Sequence, residues 1–453
     1  MTVVDLPFLL IALATILVLR FTPLRTRRVE VLAVASLGFV ASVTRSVGDA
    51  ACLLAMAATG WFLMKALARH KRGWLLAGGI ACVLAEFVVS RRVLPMTWDA
   101  MGPTIGLSYV MFRVIHLAVD AQGDELPAGL RLRDYVCYLF CYLTFLAGPI
   151  QRVQDFTAEA ARPIRTTLRT ALADDLPGLL GGTLKVTVLA GAAFTVFTWS
   201  QSPALPAALA HAVAWLSFTA WLYWSFSGYT DVVRGIGGLL DFHLPENFAQ
   251  PFASANFLDL WSRWHISLSE WFKLYVFNPS VKELIAVANR PALTAYLGAV
   301  GYFVTFFLMG LWHGISLRFV LYGLCLGAGV SVNKLYQALI LKRLGRPRYA
   351  ALTRRPLYMA GARALAVSFF VLALGFLWIP GDTGPGLAWT AGGALVVLCV
   401  GLLVIAASAV KRIGVRIPLT RTMTIALCTA EAVAVLAYLL VGGPVPPLLY
   451  TYF

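Results

Sequence analysis

A histidine lies in the middle of a long apolar stretch, FFLMGLWHGISLRF, at residues 306–319. This residue, His313, stands between Gly310 and Gly314, and an arginine follows five residues later. Ionisable groups in hydrocarbon are costly and usually mark a pathway or a reaction centre. The glycines let a second helix or a substrate approach the backbone closely. Two interpretations therefore stand: a reacting histidine, or a histidine hydrogen-bonded between packed helices.

A second histidine, His265, lies forty-eight residues earlier in the segment FLDLWSRWHISLSEWF. Residues 257–276 have the pattern of one amphipathic helix, with tryptophans suited to the headgroup level of a membrane. His265 is therefore either a second reacting group or an interfacial anchor. No HExxH motif, and no cysteine or carboxylate at ligand spacing, accompanies either histidine, so no metal site is expected. The four remaining histidines (His70, His116, His211 and His243) are interpreted as satisfied or solvated side chains.

The composition predicts a polytopic membrane protein. Of 453 residues, 60% are hydrophobic and 13% are charged, and the mean hydropathy is +0.78. Soluble domains are roughly half apolar and a quarter charged. The net charge of +16 comes from short basic clusters between apolar runs, as in cytoplasmic loops, so nucleic acid is not an expected partner. The seven cysteines form no CxxC pair and indicate no disulfide framework.

Apolar runs follow one another along the chain and predict an all-α protein of 11–13 tilted transmembrane or re-entrant helices. They lie near 6–21, 31–46, 50–67, 74–90, 101–119, 134–150, 178–199, 207–228, 293–312, 315–340, 362–380, 387–410 and 423–442. The run 134–150 has basic residues at both ends. A single membrane crossing would put these ends on opposite sides, whereas the positive-inside rule favours the cytoplasm for both, so the topology of this run stays open. Region 229–294 has no uninterrupted apolar run of spanning length and is expected to be re-entrant or interfacial.

A single membrane-embedded domain is expected over residues 1–453. It would have peripheral helices in 1–100, a catalytic core in 101–340 and further helices in 341–453. The N-terminus lacks a basic n-region, so we expect the first helix to be retained, with its N-terminus extracytoplasmic. The basic loops are then expected to be cytoplasmic; they lie at 20–30, 65–72, 342–355 and 411–421.

Several motifs resemble the membrane-bound O-acyltransferase superfamily, in its bacterial branch of alginate O-acetylation and teichoic-acid D-alanylation proteins. The most specific are YWSFSGYTDVVRGIGGLLDFHLPENFAQPF, FLDLWSRWHISLSEWF and GLWHG. Supporting stretches are TIGLSYVMFRVIHLAVD, TFLAGPIQR, FFVLALGFLWI and the closing PPLLYTYF. The chain departs from the branch at KLYVFNPSVKEL, where family members commonly have an arginine-aspartate-tyrosine step and a proline-leucine-glycine-glycine stretch.

The resemblance implies a ring of tilted helices around a central tunnel in a bacterial cytoplasmic membrane. It places the family's essential histidine at His313 and its second histidine at His265. It also implies a cytoplasmic acyl thioester donor as co-substrate, either acetyl-CoA or an acyl carrier protein, with no bound cofactor. Expected partners are membrane lipids and extracytoplasmic acyltransferase or polysaccharide-synthesis proteins. The departure at 273–284 bears on the donor, because that part usually borders the cytoplasmic funnel.

The residues favour direct acyl transfer, because no GxSxG nucleophile accompanies the histidines. An unperturbed imidazole titrates near pH 6.5, which suits His313 as a general base towards an acceptor hydroxyl. His265 would orient the donor or polarise its carbonyl. The other expected site-lining residues are Tyr229, Asp231, Asn247, Arg263, Trp264 and Trp312. For Asp231 and Arg263 a buried ion pair that holds helices together is an equal alternative.

The function expected from these features is transfer of an acyl group, with acetyl favoured, to hydroxyls of an exported polysaccharide of the cell envelope. One alternative is D-alanyl transfer from a carrier protein to teichoic acid or a similar polymer. An alternative of another class is a transporter or flippase, in which intramembrane His, Asp and Arg relay protons or gate a lipid-linked glycan. A purely structural subunit of an envelope complex is the remaining alternative.

Overall fold

The structure, a computed structural model, describes residues 5–90, 105–203, 205–378, 387–413 and 421–446. These residues form α-helices joined by short turns. In chain order the helices are α1 (Leu6–Phe21), α2 (Arg28–Val43), α3 (Val47–His70), α4 (Gly73–Ser90), α5 (Leu107–Gln122), α6 (Leu132–Phe140), α7 (Tyr142–Phe145), α8 (Val153–Ala161), α9 (Leu168–Leu184), α10 (Ala190–Ser200), α11 (Ala207–Leu239), α12 (Phe257–Trp261), α13 (Ile266–Phe272), α14 (Asn278–Ala288), α15 (Thr294–His313), α16 (Leu317–Thr353), α17 (Pro356–Leu374), α18 (Leu387–Ile413) and α19 (Arg421–Leu440).

Eight spans within the described residues are long and apolar enough to cross a membrane. They correspond to α3, α4, α9 with α10, α15, α16, α17, α18 and α19. A ninth span is counted if α1 and the segment Pro23–Val43 are taken together, although the chain bends by 108° between them. The prediction of an all-α polytopic membrane protein is therefore confirmed. The other apolar runs form shorter or more polar helices, among them the largely buried, 33-residue α11.

The apolar run 134–150 enters and leaves on the same face of the protein. It is broken at Cys141 into α6 and α7, of nine and four residues. Before the run, Arg133 pairs with Glu30 at 2.5 Å. After it, the carbonyl of Arg162 accepts a hydrogen bond at 3.0 Å from Arg28, two residues from Glu30. The two basic ends of the run therefore lie close together. This arrangement is that of a re-entrant segment, a topology that the sequence alone leaves open.

The prediction of one interfacial helix over residues 257–276 is wrong. The short helix α12 is followed by a turn that ends at His265, and a second helical segment begins with α13 and continues through a π-helical turn, Lys273–Phe277, into α14. Trp261, Trp264 and Trp271 are only 5%, 2% and 6% exposed, so they lie inside the protein and not at the headgroup level. An aromatic-rich pattern alone does not distinguish these locations. The turn tolerates burial because residues 247–249 supply backbone hydrogen-bond partners for it.

Helices α15 and α16 form a closely packed antiparallel hairpin. A Cβ atom added to Gly310 would lie 2.3 Å from the Cα of Gly323, so only glycine permits this crossing. Further along, the hydroxyl of Ser331 donates to the carbonyl of Ala299 at 2.7 Å. The packing role considered for Gly310 is therefore present in the structure. The same crossing brings the first turns of α16 against the end of α15, where His313 lies.

Candidate active site

His313 is the last residue of α15 and is 6% exposed. Gly314 ends the helix with φ 157° and ψ 173°, a conformation for which glycine is suited. The imidazole is enclosed by aromatic rings: the ring centroid of Trp312 lies at 4.6 Å, that of Tyr322 at 5.5 Å and that of Phe319 at 6.1 Å. The imidazole of His313 is thus shielded from bulk water and presented at a helix end.

His265 occupies the turn between α12 and α13 and is 1% exposed. Its φ of 45° and ψ of 53° are left-handed values, which are uncommon for a non-glycine residue and often mark functional sites. The ring of Phe226 packs edge-on against the imidazole at 4.7 Å. On another side the amide oxygen of Asn247 lies 3.4 Å from its Nδ1. The histidine is thus held by backbone conformation, aromatic packing and a polar neighbour.

The two histidines are brought together, although they lie on different elements. Burial lowers the pKa of His265 well below its usual 6.5, and the neighbouring His313 lowers it further. His265 is therefore neutral at physiological pH. A shared aromatic wall stands nearby, because the ring of Phe112 lies 4.6 Å from Trp271 and 5.3 Å from Trp312. His265 and His313 are therefore two buried imidazoles with aromatic neighbours, close enough for their charges to interact.

Asn247 is the predicted site residue whose position the structure explains best. Its Oδ1 accepts hydrogen bonds from the backbone N–H of Ser267 at 3.0 Å and from the Ser267 hydroxyl at 2.9 Å. These two donors establish which end of the amide faces His265. The carbonyl oxygen then favours the tautomer in which Nδ1 of His265 carries the proton.

Two predicted tryptophans are placed beside the histidines. Trp264 precedes His265 and packs against Phe248 at 5.1 Å and Phe370 at 4.8 Å. Trp312 adjoins His313 and is 8% exposed. Both indoles are therefore buried next to a candidate histidine, and contact of either with a substrate stays a prediction.

The other three predicted residues have polar groups engaged elsewhere. The hydroxyl of Tyr229 lies 3.0 Å from the carbonyl of Gly148 and accepts the N–H of Ala147 at 3.2 Å. Two further residues form ion pairs: Asp231 with Lys185 at 2.6 Å, and Arg263 with Asp259 at 2.9 Å. The first pair joins α11 to the segment after α9 and so matches the structural alternative, in which an ion pair holds helices together. The second pair is local, between residues four apart in the chain, and joins no two helices.

A polar cavity of about 430 Å³ leads to the His265 region and was not anticipated from the sequence. Its lining includes His116, Arg152 and Tyr275, together with Ser267, which shares Asn247 with His265. The carboxylate of Asp120 organises one wall, because it accepts hydrogen bonds from Arg152 at 3.2 Å and from Tyr275 at 3.0 Å. The sequence feature that could have indicated this cavity is the spacing of His116 and Asp120, which lie one turn apart on the same face of the apolar helix α5.

His116 itself is not a solvated histidine. It is fully buried, and its Nε2 lies 2.7 Å from the hydroxyl of Tyr138. That hydroxyl donates to the carbonyl of Gln151 at 2.8 Å, so Nε2 acts as the donor to Tyr138. His116 therefore links α5 to the re-entrant segment beside the cavity.

The outer rim of this cavity lies on the face that carries the basic cluster at 20–30. Its lining residues Glu159 and His243 are near Arg28, whose guanidinium donates to the carbonyls of Glu159 at 3.1 Å and Leu240 at 2.8 Å. Burial alone would raise the pKa of Glu159, but the N–H of His243 and the side chain of Arg162 outweigh this and lower the pKa. The rim therefore keeps a charged carboxylate at neutral pH.

Taken together, the fold and the site define a helical membrane protein with two buried histidines at breaks in the helices, one of them near a polar cavity. The family model of the membrane-bound O-acyltransferases matches residues 61–370, which is more than half of the chain. This chain therefore belongs to the membrane-bound O-acyltransferase family, and the resemblance inferred from the motifs is confirmed.

Relatives of different activities share this family region. A probable alginate O-acetylase of Pseudomonas fluorescens is 28% identical over 262 residues, covering 58% of this chain and 51% of that protein. A teichoic acid D-alanyltransferase of Bacillus subtilis is 30% identical over 229 residues, covering 49% of this chain and 56% of that protein. A peptidoglycan O-acetyltransferase of Helicobacter pylori is 38% identical over 125 residues, covering 27% and 21%. The chain thus spans about half the length of the first two relatives.

Proposed function

We propose that this protein is an O-acyltransferase that moves an acyl group, most favourably acetyl, from a cytoplasmic thioester to a hydroxyl of an extracytoplasmic polysaccharide. The observation that carries the proposal is the burial of His265 and His313, two imidazoles packed against aromatic rings in a membrane protein. Ionisable side chains buried in a membrane protein are costly and usually mark a pathway or a reaction centre. Family membership supplies the reaction class, since its curated relatives transfer acetyl or D-alanyl groups.

The chemical step follows from the positions of the two rings. The acceptor hydroxyl attacks the thioester carbonyl while an imidazole nitrogen of His313 takes its proton. A new O–C bond forms, the C–S bond breaks, and the departing thiolate takes the proton back from the imidazolium. No acyl-enzyme is needed, and the enclosing rings of Trp312, Phe319 and Tyr322 limit competing hydrolysis by water.

His265 fits an orienting role in this reaction. With Nδ1–H directed at Asn247, its Nε2 accepts a hydrogen bond and does not donate one. That tautomer does not polarise a carbonyl oxygen, so the orienting role suits it better than the electrophilic role considered from the sequence. An accepting Nε2 can align a hydroxyl or the N–H of a neighbouring imidazole.

The polar cavity beside Ser267 is the route that we assign to the donor. It opens on the face of the basic cluster at 20–30, which the positive-inside rule places in the cytoplasm. Cytoplasmic thioesters would then approach from this side, and the acceptor polymer from the opposite side. An acetyl donor is favoured over a carrier-bound D-alanyl group, because residues 273–284 depart from the branch pattern.

Reconstitution tests the reaction directly. The full chain is placed in liposomes with an acetyl thioester labelled in its acetyl group and a polysaccharide acceptor, and ester formation is measured by mass spectrometry. We expect ester with wild type and none with His313→Gln, which preserves much of the side-chain volume. A D-alanyl carrier protein, used in parallel, separates the two donors. Movement of substrate across the bilayer without ester would instead identify a flippase and overturn the proposal.

A further inference from the structure

A cavity of about 790 Å³ lies between α16 and α17, away from the polar cavity described above. Ligand sites commonly have volumes of roughly 300–1,000 Å³. Its lining is predominantly apolar and includes Phe257, Val332, Leu365 and Phe369. Three tyrosines, Tyr336, Tyr349 and Tyr358, add hydroxyl groups to this wall. The site thus combines an apolar body with polar groups, as an amphiphile requires.

The cavity is held open by bonds between separate elements. The side-chain oxygen of Asn333 on α16 accepts the N–H of Leu258 on α12 at 3.0 Å. Arg363 on α17 donates to the carbonyl of Ser254 at 3.3 Å. At its base, the rings of Phe257 and Phe369 meet at 5.1 Å. These contacts join α12, α16 and α17, so the space between them is formed before any ligand binds.

One end of the cavity adjoins a basic segment of the chain. Its lining residues Thr353 and Leu357 flank two exposed arginines, Arg354 and Arg355. From 284 to 380 the sequence has no Asp or Glu, whereas eight Lys and Arg residues fall between 334 and 363. The carboxylate of Asp259, near the other end of the lining, is paired with Arg263 at 2.9 Å. Charge at this end therefore complements an anion.

The N-terminus of α17 adds to this complementarity. Pro356 occupies its first turn, and the preceding residue, Arg355, provides no side-chain cap. Amide groups in the first turn of a helix lack carbonyl partners within that helix and favour a phosphate. Leu357 and Tyr358, which belong to this turn, line the cavity. Two exposed arginines and the first amides of α17 therefore adjoin the part of the lining that Thr353, Leu357 and Tyr358 form.

We propose that this cavity binds one anionic phospholipid, with its phosphate near Arg354, Arg355 and the start of α17 and an acyl chain between α16 and α17. A lipid is the occupant that fits both halves: an anion for the basic end and a hydrocarbon chain for the apolar lining. The loop 342–355 is expected to face the cytoplasm, where the leaflet is rich in anionic lipid. This proposal does not depend on the acyl-transfer reaction.

Lipid binding to the full chain in neutral detergent tests the proposal. A fluorescent phosphatidylglycerol is titrated against the purified protein, and a phosphatidylcholine with the same chains serves as the comparison. Each arginine near a membrane surface contributes about fivefold to the binding of an anionic lipid, so Arg354→Ala/Arg355→Ala should weaken phosphatidylglycerol binding roughly 25-fold. The matched control Arg69→Ala/Arg72→Ala removes two exposed arginines of another basic loop and should bind as wild type does.

A second variant tests the apolar half. Ala362 lines the cavity, so Ala362→Trp fills it without changing charge. Phosphatidylglycerol should raise the melting temperature of wild type but not of Ala362→Trp. Equal binding of the two lipids by wild type, unchanged binding by both variants, or equal competition by water-soluble glycerol phosphate would overturn the proposal.

Discussion

The side-chain oxygen of Asn247 lies 3.4 Å from Nδ1 of His265, and the same oxygen accepts two hydrogen bonds from Ser267. One amide thereby sets both the turn at the start of α13 and the proton position on the imidazole. Since residues 247 and 265 belong to different segments joined by the single β-bridge Phe248–Trp264 among the described residues, this relationship depends on the tertiary fold.

Replacing Asn247 by Asp should change the pH dependence of acyl transfer. A carboxylate beside His265 stabilises the imidazolium and raises its pKa from the lowered value that burial imposes. As the pH is lowered, His265 then becomes protonated at a higher pH than in wild type. The acid limb of the pH profile of kcat/KM should therefore shift to higher pH. Ser267→Ala, which keeps the amide, should leave that limb in place. An identical acid limb in Asn247→Asp would remove Asn247 from the site.

Replacing His313 should abolish activity without preventing membrane insertion. Loss of a general base is expected to lower the rate by roughly a hundredfold to ten-thousandfold. Because Phe319 and Tyr322 pack against the imidazole, His313→Gln is a better test than His313→Ala, which would leave a void. Activity and elution by size exclusion are measured together. A correctly eluting variant with wild-type activity would contradict the assignment.

The activities of His265 variants should depend on how well the new side chain suits the left-handed backbone and replaces a ring nitrogen. Asparagine tolerates left-handed backbone better than most residues and mimics the Nδ1 side of imidazole, so His265→Asn should keep clearly more activity than His265→Ala. The double variant with His313→Gln should lose no more than His313→Gln alone, because residues that serve one transition state fail as a unit. A fully active His265→Tyr protein would instead make this residue an aromatic anchor.

The ion pair of Lys185 and Asp231 should matter for stability and not for chemistry. Both side chains are about a third exposed or less, at 32% and 27%. Removing one partner leaves an uncompensated charge, so Asp231→Asn should lower the free energy of unfolding by about 1–3 kcal/mol. Lys185→Met/Asp231→Leu should recover most of the loss. Thermal melting and kcat/KM are compared; a stable but inactive Asp231→Asn would place this residue in the reaction.

The basic loops at 20–30, 65–72 and 342–355 should be cytoplasmic. Single cysteines at Arg25, Arg69 and Arg346, in a background without the native seven, should resist an impermeant thiol reagent added outside intact cells. Gln201→Cys, in the turn after α10 at the opposite end of the α9–α10 span from the basic face, is the accessible control. Labelling at two of the three basic positions would reverse the orientation. The loop 411–421 belongs to the same prediction, but residues 414–420 lie outside the described part of the chain.

Local composition and motif spacing sufficed for the membrane class and the family, because hydrophobic runs and short motifs consist of residues that are close together in the chain. Tertiary structure decided the rest. Tryptophans assigned to the interface are buried, since an aromatic side chain suits either environment and only packing partners select one. Likewise, the ion-pair partner of Asp231, the tautomer set by Asn247 and the re-entry of 134–150 depend on contacts between distant segments. The pattern of residues along the chain does not indicate which distant segments come into contact.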